Sequence, residues 1–182
     1  MKRKQGFTLI EMIVAIAILA ILAALAIPSF KSSIRSNRSV SDANALLTVL
    51  TLARSEAIKH SQPVVVCKAS SSSSPACVTS GNWEQGVLVF VDADADGTYS
   101  SGDTQLRLEV PLSSVNVITD KSTLNSLTYR SDGTVGNGTS TTFYIKPDLS
   151  SADTLKFERC VDISTIGKPR ITDHTTEPTL CL

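Results

Sequence analysis

Three groups of residues in this 182-residue chain have the types and spacing for chemistry. The first is Asp92-Ala93-Asp94-Ala95-Asp96-Gly97, with Asp103 downstream. Counted from Asp92, carboxylates fall at positions 1, 3, 5 and 12 and glycine at 6. That is the spacing of a Ca²⁺ loop with Asp in place of the final Glu. The same residues suit a hairpin turn, in which Asp side chains bond nearby backbone N–H groups. The turn is the leading reading and Ca²⁺ the alternative. The second group is Gly167-Lys168-Pro169-Arg170. Alternate cations on an extended segment can follow a phosphodiester chain, and glycine lets a backbone come close to phosphate. Asp162, Asp173 and Glu177 dilute the field; Lys156 and Arg159 would extend it if they share its face.

The third group is four cysteines, which allow three pairings. The sequence-local bridges Cys67–Cys77 and Cys160–Cys181 are expected. Each closes a loop worth about 3 kcal/mol. A zinc site is a poor alternative, because the spacing is not C-x-x-C and the histidines are only His60 and His174. There is no phosphate-binding P-loop, H-E-x-x-H or G-x-S-x-G pattern. No enzyme and no resident cofactor are expected. Lys plus Arg equals Asp plus Glu at 17 each, so any anion site must be local.

These groups need a frame to hold them. Phe7 to Ile27 is an apolar run whose single charge is Glu11, preceded by Lys2, Arg3 and Lys4. It is long enough to span a bilayer as a helix, with the cations holding its start on the cytoplasmic side. A secretory signal peptide and a plain anchor compete for this segment, Ala24-Leu25-Ala26 offering a cleavage site. A carboxylate in an apolar layer is costly unless it finds a cation. Helix is expected to continue beyond Pro28, kinked there. Ala43, Leu46, Leu47, Leu50, Ala53, Ala57 and Ile58 form a helical stripe that ends near His60.

Beyond Pro63 the pattern turns to strands: 64–67, 86–91, 105–110, 115–118, 127–130, 142–146 and 156–163. Strict alternation over 105–110 predicts one buried face. The expected fold is α+β, a long N-terminal helix with a transmembrane half and an amphipathic half, packed on an antiparallel β-sheet domain. Its parts are a leader at 1–6, a transmembrane helix at 7–28, an amphipathic helix at 29–61 and a β-rich domain at 62–182.

Gly6-Phe7-Thr8-Leu9-Ile10-Glu11 resembles the prepilin processing motif of type IV pilins. The resemblance implies cleavage after Gly6 by a prepilin peptidase and an N-methylated Phe7. It also implies that Glu11 pairs with a terminal amine of a neighbouring subunit. The segments Leu52-Ala53-Arg54-Ser55-Glu56-Ala57-Ile58-Lys59, Pro63 to Cys67 and Trp83 to Asp92 are similar to the GspH/FimT family of minor pilins and pseudopilins. DNA-binding members of the FimT type carry G-R-x-R near the C-terminus. Here the first Arg is Lys168, which keeps the charge but loses the bidentate fork.

The resemblance therefore implies a minor type IV pilin, held in the inner membrane before assembly and displayed in the pilus. Its partners would be other pilins and DNA bound without regard to sequence, in support of DNA uptake. The alternatives are a GspH-type pseudopilin of a type II secretion system and a structural subunit without DNA binding. By ordinary expectation Arg54 and Glu56 form a solvated helix face or an ion pair, and Trp83 is a core anchor.

Overall fold

The computed structural model describes residues 8–136, 138, 140–147, 154–173 and 181, without the side chains of 25–29 and 154. A 52-residue helix, α1 (Leu9–His60), leads the chain. Thr8 and Glu11 form a reciprocal capping box at its start. The Glu11 N–H donates to Thr8 Oγ1 at 3.3 Å, and the Thr8 N–H donates to Glu11 Oε2 at 3.4 Å. Leu9, Ile10, Met12, Ile13, Ile16 and Leu19 are exposed. Among the described residues no helix is long and apolar enough to cross a membrane. The apolar run also contains Phe7 and 25–28, which lie outside that description, Phe7 entirely and 25–28 by their side chains. The chain divides into two compact units, Met1–Asn37 and Arg38–Leu182.

Within the second unit α1 buries Ala43, Leu46, Val49, Leu50, Ala53 and Ala57, a stripe of helical period. Ile58, expected on that stripe, stays half exposed at its margin. The stripe joins one core with two four-stranded antiparallel sheets. The first sheet has the order β3 (Thr104–Glu109), β2 (Val87–Val91), β1 (Val64–Lys68), β5 (Ser126–Tyr129). The second runs β4 (Asn116–Asp120), β6 (Thr141–Pro147), β7 (Arg159–Ile163), β8 (Pro169–Asp173).

Strands β1 and β2 are buried on both faces, which is why they read as unbroken apolar runs. Val64, Val66, Val87, Val89 and Val91 meet the main core. Val65, Cys67, Leu88 and Phe90 meet a second cluster, where Tyr99 stands edge-on to Phe90 at 5.1 Å. The Cys67–Cys77 disulfide ties the 69–79 segment to that second face.

Trp83 lies in a 3₁₀ turn, Trp83–Gln85, and is buried edge-on to Phe143. Its Nε1 donates to Asp120 at 3.1 Å, and Glu84 Oε2 accepts the Ile118 N–H at 2.8 Å, so this turn joins the first sheet to β4. Asp42 of α1 accepts from Ser113 Oγ and Asn116 Nδ2, fixing the loop before β4.

Two details depart from the strands read in the sequence. In β3 the register slips opposite Val89 and Phe90, a bulge at Leu106. A bulge reverses which face the residues occupy. Leu106 therefore meets the main core while Leu108 meets the second cluster. Residues 154–157 form a short helical turn, α2 (Thr154–Phe157), so the strand expected from Lys156 begins at Arg159. The segment at Pro169–Asp173, read as extended, is strand β8.

Candidate functional site

Strands β7 and β8 form a hairpin, and the sequence-chosen cations sit at its turn. Gly167 N–H donates to Ser164 O at 2.8 Å, and Ser164 N–H donates to Lys168 O at 3.3 Å. Lys168 N–H reaches Ser164 Oγ at 3.3 Å. Four polar contacts thus close a turn over five residues, counting Ser164 Oγ to Lys168 O at 3.4 Å.

Strand register assigns the faces. Arg170 stands opposite Asp162 and Thr172 opposite Cys160, while Ile171 stands opposite Val161 of the core. Successive residues alternate faces, so Arg170 and Asp162 lie on the outer face. Lys168 and Arg170 are exposed. With Ser140, Thr142, Asp162 and Ser164 they line an open groove of about 390 Å³. The Asp162 carboxylate is held from both sides, accepting from Thr142 Oγ1 at 2.8 Å and Thr172 Oγ1 at 3.0 Å. Arg159 alternates with Val161 and Ile163, hence shares the core-side face rather than that of Arg170, and donates to Glu158 O at 2.8 Å. Lys156 rides on α2 with its Nζ 6.0 Å from the Phe157 ring.

Gly167 does something other than admit phosphate. It is buried at φ +76°, and a Cβ built there would lie 2.0 Å from Gly133 O. The turn carrying Lys168 is therefore seated on the Asp132-Gly133 turn. That second turn is held by Asp132, which accepts from Thr134 N–H at 2.9 Å and Thr134 Oγ1 at 2.6 Å. These bonds hold the Asp132 carboxyl below its usual range.

Arg54 joins both turns to α1. Its Nε donates to Gly133 O and its Nη2 to Ile166 O, each at 3.1 Å. The expectation of a solvated or ion-paired Arg54 is thus corrected: it is half buried and bonded to two carbonyls. Beneath it Tyr129 is fully buried, which pushes its hydroxyl far up in pKa against the opposing Arg54 charge. Glu56 instead meets Lys59 at 3.0 Å and His60 at 3.1 Å, one turn on along the same helix. They hold its carboxyl below the usual value, Lys59 first.

The acidic loop between β2 and β3 is organised inward. Asp92 accepts the N–H groups of Asp96 and Gly97 at 3.2 and 2.9 Å, and Asp96 accepts Thr98 N–H at 2.6 Å. Asp103 accepts Ala93 N–H at 3.0 Å and Ser100 N–H at 2.7 Å, which lowers its pKa. Asp92 is buried and titrates higher than usual, mainly through desolvation. Asp92, Asp94 and Asp96 bring carboxylate oxygens within 4.8 Å of one another, and Asp103 is not among them.

The cysteines pair locally, Cys67 with Cys77 and Cys160 with Cys181. The latter pair packs against Tyr144 on the outer face that also carries Arg170. Gly6 and Phe7 lie outside the described residues, as do His174 and Glu177.

The family model described as type II transport protein GspH matches residues 42–167, and that of the prokaryotic N-terminal methylation motif matches 1–27. The fold is similar to the type IV minor pilin FimU of Pseudomonas aeruginosa strain PAO1. One crystal form gives a TM-score of 0.63 at 22% identity, over 80% of this chain and 96% of that one. A second gives 0.59 at 22%, over 78% and 98%. The minor pseudopilin EpsH from the type 2 secretion system of Vibrio cholerae gives 0.51 at 18%, over 75% and 97%. No curated protein matches the chain.

Proposed function

The chain belongs to the GspH family, and on that footing we propose that it is a minor type IV pilin that binds DNA through its β7–β8 turn. The family and fold are those of pilin and pseudopilin subunits, and the match to the N-terminal methylation motif supports a processed, membrane-anchored reading. In this reading the prepilin peptidase cuts after Gly6, Phe7 is methylated, and Glu11 exchanges its bond to Thr8 for a neighbour's terminal amine. The precursor waits in the inner membrane, N-terminus in the cytoplasm, and the β domain faces the periplasm until assembly with other pilins.

The observation that carries DNA binding is the placement of Lys168 and Arg170, exposed along one groove on a turn whose backbone is bonded at both ends. Two such cations neutralise phosphates without reading bases, so binding would be sequence-independent and would weaken steeply with salt. Gly167 serves by seating the turn. Gel shift of the full-length chain in detergent with duplex DNA tests this. The Lys168→Ala/Arg170→Ala double variant should bind at least tenfold more weakly, with a salt slope shallower by about 2. Equal binding by that variant would overturn the site.

A second reading has its own support. The matching family model carries a type II transport description and ends at residue 167, before Lys168 and Arg170. In that reading the chain is a pseudopilin of a secretion system and the cations are surface charge. Absence of DNA binding at low salt favours it.

A further inference from the structure

We infer that Ile166, at the tip of the β7–β8 turn, inserts between base steps from the minor groove when duplex DNA is bound, so that this turn grips DNA by a wedge as well as by phosphate charge. The inference rests on the DNA-binding reading above. Ile166 keeps 60% of its surface in water, although isoleucine is among the side chains most favoured inside proteins. It sits two residues before Lys168, and Arg170 follows on the same strand face. An apolar tip followed by two cations fits a duplex, where a row of phosphates borders a groove floored by base edges.

Rigidity is the second observation. Wedging apart stacked bases costs free energy, so a floppy tip would fold back instead. Here the Ile166 carbonyl is fixed by Arg54 Nη2 at 3.1 Å. The next residue, Gly167, is packed on Gly133 and donates to Ser164 O at 2.8 Å. Both flanks of Ile166 are therefore ordered before any DNA arrives, and little conformational freedom is left to lose on binding. Charge complementarity selects the occupant: Lys168 and Arg170 stand where an anionic partner would have to pass.

The experiment uses full-length chain in detergent with a short, end-labelled duplex, reading affinity by anisotropy and bending by energy transfer between the ends. Ile166→Ser should lower affinity about tenfold, the apolar burial of one isoleucine, and remove the bend. Its salt slope should stay at the wild-type value, since no phosphate contact is lost. Ile166→Met, still apolar, should retain most of the affinity and the bend. A ligand that fills the minor groove should compete with the wild type more strongly than with Ile166→Ser. If the Lys168→Ala/Arg170→Ala variant weakens binding while Ile166→Ser does not, the wedge is refuted and the charge site stands. If neither variant changes binding, the DNA-binding reading itself falls. An effect of Ile166→Ser on filament incorporation with DNA affinity unchanged would assign the tip to a neighbouring pilin instead.

Discussion

The β2–β3 loop and the β7–β8 turn are both tight, charged and closed by glycine at positive φ, yet they use charge in opposite ways. In the acidic loop the carboxylates of Asp92, Asp96 and Asp103 accept backbone N–H groups of the loop itself. In the basic turn the backbone is held by bonds between Ser164, Gly167 and Lys168, by Arg54 reaching in from α1, and by Gly133, which forms a seat for Gly167. Lys168 and Arg170 contribute exposed charge at the surface.

The largest test of that contrast substitutes the two glycines. At Gly167 a Cβ meets Gly133 O at 2.0 Å, and φ is +76°. Gly167→Ala should therefore cost about 3 kcal/mol, from left-handed strain plus overpacking. At Gly97, φ is +78° but nothing lies within 4 Å of a new Cβ. Gly97→Ala should cost only about 1 kcal/mol. Urea unfolding of the two variants measures the difference; equal costs would mean that the basic turn is no more tightly seated than the acidic one.

Next in size is Arg54. Arg54→Gln removes charged donors from two carbonyls, worth about 2 kcal/mol at a half-buried site. If the β7–β8 turn binds DNA as proposed, Arg54→Gln should also weaken that binding several-fold with the salt slope unchanged, because Lys168 and Arg170 keep their charge. Arg54→Lys keeps the charge of Arg54 but cannot span both carbonyls, and should behave more like Gln than like Arg. Wild-type affinity in both variants would separate the turn's order from the helix.

Much of this frame was legible in the sequence. The helical stripe from Ala43 to Ala57 and the apolar runs of β1 and β2 follow from periodicity, because burial on one or two faces leaves a direct imprint on composition. Asp96-Gly97 marked a turn for the same local reason. Arg54's role was not legible. Its acceptors are backbone carbonyls 79 and 112 residues away, and a carbonyl carries no residue-type signature. Gly167 was legible as special, but not as a packing glycine, since its neighbour Gly133 comes close only through the tertiary fold. The bulge at Leu106 was hidden because the alternation of 105–110 is perfect in type and broken only in register.

The smallest expected effects belong to the acidic loop. Asp103 titrates below its unfolded value because Ala93 and Ser100 N–H groups favour its charged form. The sign follows: this contribution is present above the ordinary carboxylate pKa and is lost as pH falls through the lowered one. Asp92 opposes it, because desolvation raises its pKa. Protonation of Asp92 therefore begins at higher pH and relieves a buried charge. Asp103→Asn should flatten the acid limb of a stability–pH profile below the ordinary carboxylate pKa of about 4. An unchanged acid limb would show that Asp103 does not brace the loop.

Ca²⁺ gives the finest discrimination. The cation needs six to eight oxygens, and among the described residues Asp92, Asp94 and Asp96 are the carboxylates brought together, with Asp92 and Asp103 each already accepting two backbone N–H groups. Millimolar Ca²⁺ should leave the melting temperature within about 1 °C, since a ligand stabilises only through binding to the native state. A saturable rise abolished by Asp94→Ala would reverse the contrast, making the acidic loop a second ligand site rather than a self-bonded turn.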